Sequence, residues 1–152
     1  MANTQAMCTS FMGQLLTATH DFTPSTGDTF KAALYLTSAT VDAATTAYSA
    51  TGEVSGTNYT AGGVNVTNGT APADTNASAT AGVAYWTPSA SITYTNVTLS
   101  TAFDAVLIYN STKSDKAVSV HTFGSQTITA GTFTLTMPVN DTSTALLRLS
   151  TT

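Results

Sequence analysis

Two apolar runs, Leu99–Tyr109 and Ala117–Phe123, flank NSTKSDK at 110–116, a short stretch of small polar residues that holds both charge signs. Apolar strands on either side of turn chemistry read as a β-hairpin with an exposed tip, so at least part of the sheet is antiparallel. Within the upstream run, AFDAVLIY (102–109) is dense in Val, Leu and Ile with little alternation, the pattern of a fully buried strand.

Strand, turn, strand is the pattern from Phe30 onward. FKAALYL (30–36) places Phe30, Ala32, Leu34 and Leu36 on one face, and TFTLTMP (132–138) alternates Phe133, Leu135 and Met137. VAYW (83–86) and SITYTNV (91–97) are separated by a turn at Pro88, AVSVHTF (117–123) alternates, and ALLRL (145–149) suits a last strand. Between Thr37 and Ala81 the chain is loop-heavy, with Gly52, Gly56, Gly62, Gly63 and Gly69 and short β pieces near Val54 and at Val64–Val66. The 34 threonines and 15 serines fill almost a third of the 152 residues, and Thr favours strands because its branched Cβ packs well on a pleated surface.

One segment differs in kind. Ala6, Met7, Phe11, Leu15 and Leu16 recur near helical spacing, with Cys8 and Met12 widening the stripe, so a helix is expected over 4–19. Asn3 or Thr4 is placed to cap its start, and Pro24 and Gly27 end the segment. The expected fold is therefore all-β: a single β-sandwich or jelly-roll-like domain over residues 27–152, preceded by a short N-terminal α-helix and connector over residues 1–26. Leu34, Leu36, Trp86, Tyr94, Val106, Ile108, Val118, Val120, Phe133 and Leu135 are the expected core.

Charge and length exclude several function classes. With a net charge of −4 and four basic residues spread along the chain, there is no cluster of Lys and Arg for phosphate contact, so no nucleic-acid partner is expected. No apolar run approaches the ~18 residues that span a bilayer. The opening MANTQAMCTSFMGQLL lacks the basic and apolar regions of a signal peptide. Neither a membrane partner nor export is expected, and a cytoplasmic origin is. Cys8 is the single cysteine, which leaves no intrachain disulfide. Charged residues make up 8% of the chain, which gives little repulsion between copies and suits a surface covered by copies of itself or by partners.

Candidate chemistry is sparse. A hydrolytic triad needs a nucleophile, a base and an orienting carboxylate. The bases on offer are His20, at the end of the expected helix beside Asp21, and His121, on the same strand face as Ser119 and Phe123, and no nucleophile-turn motif accompanies either. The acids Asp21, Asp28, Asp42, Glu53, Asp74, Asp104, Asp115 and Asp141 are scattered through different segments. Asp104, inside the most apolar strand, is the one expected to be partly buried, its carboxylate bound to a backbone N–H, a hydroxyl or a basic group. Cys8, His20 and His121 lack metal-ligand spacing. No catalytic, cofactor-binding or metal site is expected. Seven of eight asparagines, namely Asn58, Asn65, Asn68, Asn76, Asn96, Asn110 and Asn140, begin an Asn-x-Ser/Thr triplet, an excess that Asx turns and side-chain hydrogen bonds explain in part.

The opening MANTQAMCTSF, then TGDTFKAALYL, AYSATGEVSGTNYTAGG, AYWTPSASITY, TAFDAVLIYNSTKSDKAVSVHTFGSQTITAGTFTLTMP and the closing ALLRL resemble a group of small virion-associated structural proteins of tailed bacteriophages. The resemblance runs over nearly the whole chain. It implies a place in the virion after synthesis in a host cytoplasm, and brings no catalytic residue with it. The role expected is a non-enzymatic capsid cement or decoration protein on the outer capsid surface, with the major capsid protein and copies of itself, as dimer or trimer, for partners. The alternative is a tail, baseplate or fibre component. A rival of a different class is a carbohydrate- or receptor-binding module, in which Tyr59, Tyr85 and Trp86 would stack on sugar rings.

Overall fold

The computed structural model describes residues 2–75 and 82–151. In chain order its elements are β1 (Ala6–Met7), α1 (Thr9–Leu16), β2 (Phe30–Leu36), β3 (Val64–Asn65), β4 (Ala73–Asp74), β5 (Val83–Trp86), β6 (Ile92–Asn110), a 3-10 turn at Ser111–Lys113, β7 (Lys116–Leu135) and β8 (Leu147–Ser150). The protein is mostly β, with antiparallel sheets and one short helix near the N-terminus. One sheet has five strands in the order β1-β7-β6-β2-β3, and a second has three in the order β4-β5-β8.

Strand β2 lies inside the larger sheet, between β6 and β3, and is buried on both faces. Phe30, Ala32 and Leu34 face one way, Ala33 and Tyr35 the other, and all five are essentially inaccessible. The row Ala33–Leu107–Val120 crosses β2, β6 and β7 in register, each residue 0% exposed. Leu36 is only half-buried, at the end of the strand where a register shift follows Tyr35.

The hairpin is longer than its sequence pattern. The runs 91–97 and 102–109, and their partners 117–123 and 132–138, form not four short strands but the two long ones, β6 and β7, because the intervening residues stay paired through several register shifts between Tyr94 and Ala105. Each such irregularity adds bend and twist to a ribbon. The outcome is a hairpin folded over itself: Tyr94, near the start of β6, donates its hydroxyl to the Ala32 carbonyl at 2.8 Å, although Ala32 pairs in register with Ile108. Phe103 meets Phe133 edge-on at a centroid distance of 5.2 Å across the same fold. The tip closes at Asn110, whose Oδ1 accepts from the backbone N–H groups of Thr112 and Lys113, while Ser114 and Asp115 take the left-handed conformation.

The helix is shorter than the expected 4–19. Ala6 and Met7 pair with Val120 and Ser119 as a strand instead, and Cys8 is extended, so the helix starts only at Thr9. Asn3 does not cap it. Its side-chain amide donates to the Leu36 carbonyl and to Asp104 Oδ1, and its Oδ1 accepts from Val41 N, which ties the N-terminus to the sheet. A left-handed Ala18 ends the helical path well before Pro24.

Of the expected core, Leu34, Trp86, Tyr94, Val106, Ile108, Val118 and Val120 are buried. Phe133 and Leu135 are only half-buried. They line, with Phe123, Met137 and Leu146, a groove left open between the two folded halves of the hairpin.

Candidate functional site

The closest approach to catalytic geometry is on β7. Ser119 Oγ and His121 Nε2, on one strand face, are 2.9 Å apart. Two features set this pair apart from a working dyad. Ser119 is 1% exposed, and among the described residues no carboxylate is hydrogen-bonded to the other ring nitrogen to orient it. Burial also pushes the His121 imidazole down to about 4, so the ring is neutral and a weak base at neutral pH. That shift carries a stability prediction. Between pH 6.5 and about 4 the unfolded chain binds a proton at this residue and the folded chain does not, so the stabilisation is complete above pH 6.5 and is lost as pH falls toward 4. The loss should amount to about 3 kcal/mol. Denaturant midpoints measured from pH 7.5 to 4 check it, with His121→Gln expected to remove most of the slope. A wild-type slope that His121→Gln leaves intact would assign the effect elsewhere.

His20 belongs to a different network. Asn110, itself 0% exposed, donates through Nδ2 to Asp28 Oδ2 at 2.7 Å and lies 2.9 Å from His20 Nδ1. Because an amide N–H₂ can only donate, Nδ1 is the acceptor and the imidazole proton sits on Nε2, which donates to Gln14 Oε1 at 2.7 Å. Burial lowers the His20 pKa, against the pull of Asp28, in keeping with a neutral ring. Asp28 also accepts from Asp21 N and sits 3.5 Å from Lys113 Nζ. Together these contacts fasten the 20–28 connector to the hairpin tip.

Most of the other acids likewise hold parts of the chain together. Glu53 accepts from the hydroxyls of Tyr48 and Tyr59 at 2.6 and 2.7 Å and from Gly62 N at 2.8 Å. Burial, with the Glu53 carboxylate beside them, raises both phenols well above their ordinary value, so both remain donors. Tyr59 in turn accepts from Leu34 N on β2, and Tyr109 donates to the Gly62 carbonyl, so a single carboxylate clamps the 48–63 loop onto the sheet. Asp104 is bound by the side-chain amide of Asn3, not by the backbone N–H, hydroxyl or basic group expected. Asp21, Asp42 and Asp141 close local turns by accepting from Thr23, Ala44, and Ser143 and Thr144 respectively. Burial raises the Cys8 thiol to about 11, which keeps it protonated and unreactive. Among the described residues no group of three or more His, Cys, Asp or Glu is placed to hold a metal ion.

Four of the seven asparagines acquire a physical account. Asn58 and Asn96 take left-handed backbone, which Asn tolerates better than most residues, and Asn58 Nδ2 donates to the Asn96 carbonyl. Asn68 bridges Thr23 and the Trp86 indole, and Asn110 caps the tip. Asn76 lies outside the described residues. Two of the three aromatics of the sugar-stacking reading are turned inward, while Tyr85 is half-buried. Trp86 is 3% exposed, its indole N–H donating to Thr70 O at 3.0 Å, and Tyr59 is held by Glu53 and stacked on Tyr94.

One of the openings in the surface is apolar. Between α1 and the three-stranded sheet lies a hole of about 170 Å³, lined by Phe11, Leu15, Phe22, Pro72, Ala84, Tyr85, Trp86, Leu147 and Leu149. Phe22 packs edge-on to Trp86 at 4.8 Å and stacks on Phe30 at 4.4 Å, which fixes the floor. No helix is long and apolar enough to cross a membrane among the described residues. No protein-family model, curated protein or solved structure matches the chain.

Proposed function

We propose that this chain is a non-enzymatic structural protein of a tailed-phage particle, a cement or decoration protein that binds the outer surface of the capsid in many copies. One observation carries the reading. Most of the polar side chains suited to chemistry are bound to the protein's own backbone and loops, while large apolar side chains, Leu16 and Val139 above all, are left in solvent. A chain with that distribution is built to hold a rigid shape and to be covered. The sequence resemblance to virion proteins supplies the particle, and the fold-back of the β6–β7 hairpin over itself fits a two-layered, sandwich-like domain of the kind expected. A cement protein adds contact area across seams of the shell, with the major capsid protein and neighbouring copies as partners. Each contact needs roughly 1,000 Å² to be specific, and repetition over the shell multiplies a modest affinity.

Copy number tests the assignment. A stained gel of purified virions should show hundreds of copies per particle when scaled to the major capsid band. A few to a few dozen copies would instead place the protein in the tail, baseplate or fibre.

A further inference from the structure

The hydrogen bonds around Asn110 leave no freedom in where its protons lie. Its Oδ1 accepts from Thr112 N and Lys113 N, which as backbone amides can only donate. Its Nδ2 therefore points the other way, to Asp28 Oδ2 at 2.7 Å and His20 Nδ1 at 2.9 Å. The arrangement demands a lone pair on His20 Nδ1. A second proton on the ring must go to that atom, since Nε2 already donates its own to Gln14 Oε1. N–H would then face N–H₂ with no acceptor between them. The ring is half-buried rather than sealed, so a proton can reach it.

We propose that His20 is a proton-operated latch on the hairpin tip: the neutral ring lets Asn110 cap the tip, and the protonated ring displaces Asn110 and opens it. Turning the amide over does not rescue the cap. Oδ1 would then face Asp28 Oδ2, and the N–H groups of Thr112 and Lys113 would lose their acceptor. The ring is the partner that stays. Its bond to Gln14 strengthens when the donor is charged, and the Asp28 carboxylate lies just beyond the Asn110 amide to attract it. The charges around the ring act in the same direction. On the connector are Asp28 and Asp21, the latter closing a turn with Thr23; the tip brings Lys113 and β7 brings Lys116, while α1 carries no charged residue. Repulsion between the imidazolium and Lys113 pushes the tip outward. Burial holds the neutral state below the ordinary histidine value of 6.5, with Asp28 opposing and Lys116 and Lys113 assisting, so the latch stays shut at neutral pH.

Nuclear magnetic resonance of the full chain from pH 7.5 to 4.5 tests this. At pH 7.5 the imidazole nitrogens of His20 should report a proton on Nε2 alone. As pH falls, the backbone N–H signals of Thr112 and Lys113 and the side-chain amide of Asn110 should move together with the His20 titration. Their backbone protection against hydrogen exchange, corrected for the intrinsic rate, should fall by up to about tenfold per pH unit below 6.5. His20→Gln offers Asn110 a side-chain oxygen and takes up no proton, so its tip should stay capped throughout. His121→Gln should respond as the wild type does, which separates this local opening from the global loss assigned to His121. Tip signals that stay in place while His20 titrates overturn the inference. So does an unchanged response in His20→Gln, a proton on Nδ1 at pH 7.5, or a ring that remains neutral down to pH 4.5.

Discussion

Leu107→Asp should leave no soluble folded protein. Leu107 is 0% exposed in the middle of β6, with Ala33 on one side and Val120 on the other, both equally inaccessible. A carboxylate there has no cationic neighbour in its row and no water. It must remain ionised without a partner, or take up a proton and still lose the packing of a buried leucine. Either course costs several kcal/mol, against a total stability of about 5–15 kcal/mol for a domain of this kind. Leu107→Ala should cost about 2–5 kcal/mol and remain foldable, which separates the effect of the charge from that of the cavity. Recovery of Leu107→Asp as soluble protein with wild-type circular dichroism would refute the placement. Val106 is less suited to the test although it is also buried, since His121 stands opposite it in register and could pair with an introduced carboxylate.

Gly63→Ala is the second large effect expected. Gly63 sits at φ +73°, where a side chain is strained, and an added Cβ would land on the Ala32 carbonyl and 2.8 Å from Ala33 Cα. Those are backbone atoms of β2 and cannot step aside as a side chain can. The glycine also leads into β3, whose pairing with Lys31 and Ala32 closes the edge of the larger sheet. Strain and overlap together should cost about 3 kcal/mol or more. For a chain of this size that lowers the melting temperature by roughly 6–12 °C. Gly124→Ala is the control, because a Cβ there meets nothing within 4 Å. Equal melting temperatures for the two variants would show that the close approach at Gly63 is not real.

The hairpin was legible because its signals are local: two apolar runs and a polar tip within 25 residues or so of chain. Its full length was not. Apart from Leu99 and Ile128, residues 98–101 and 124–131 are small or polar and look like connections, yet the strands stay paired there through bulges that shift the register, and a bend produced by bulges has no period to read. Ala6 and Met7 fit a helical stripe and a strand equally well. What decides between them is pairing with Val120 and Ser119, more than 100 positions away. The Glu53 clamp was missed for a related reason, since the tyrosines around it come from positions 48 and 59 of the loop and are backed by β2 and β6. One signal was available. Glu53 is the sole glutamate of the chain, set in a loop that carries no other charged residue. The apolar hole joins residues from five separate stretches of sequence, so only its aromatic members could have drawn notice.

The fold-back of β6 and β7 also favours one order of assembly. Asn110 and Lys116, paired in the ladder, are close in sequence, whereas Ile92 and Leu135, paired at the other end, have the whole hairpin between them. Once the tip has closed, each further pair adds only a short loop to what is already joined, so zipping outward avoids the entropic penalty of a direct long-range encounter. Strand β2 can dock only on a near half that already exists, and the Tyr94–Ala32 contact requires both β2 and the bend to be in place. Asn110, tied at once to the tip, to His20 and to Asp28, is then the residue at which the earliest structure to form meets the N-terminal connector.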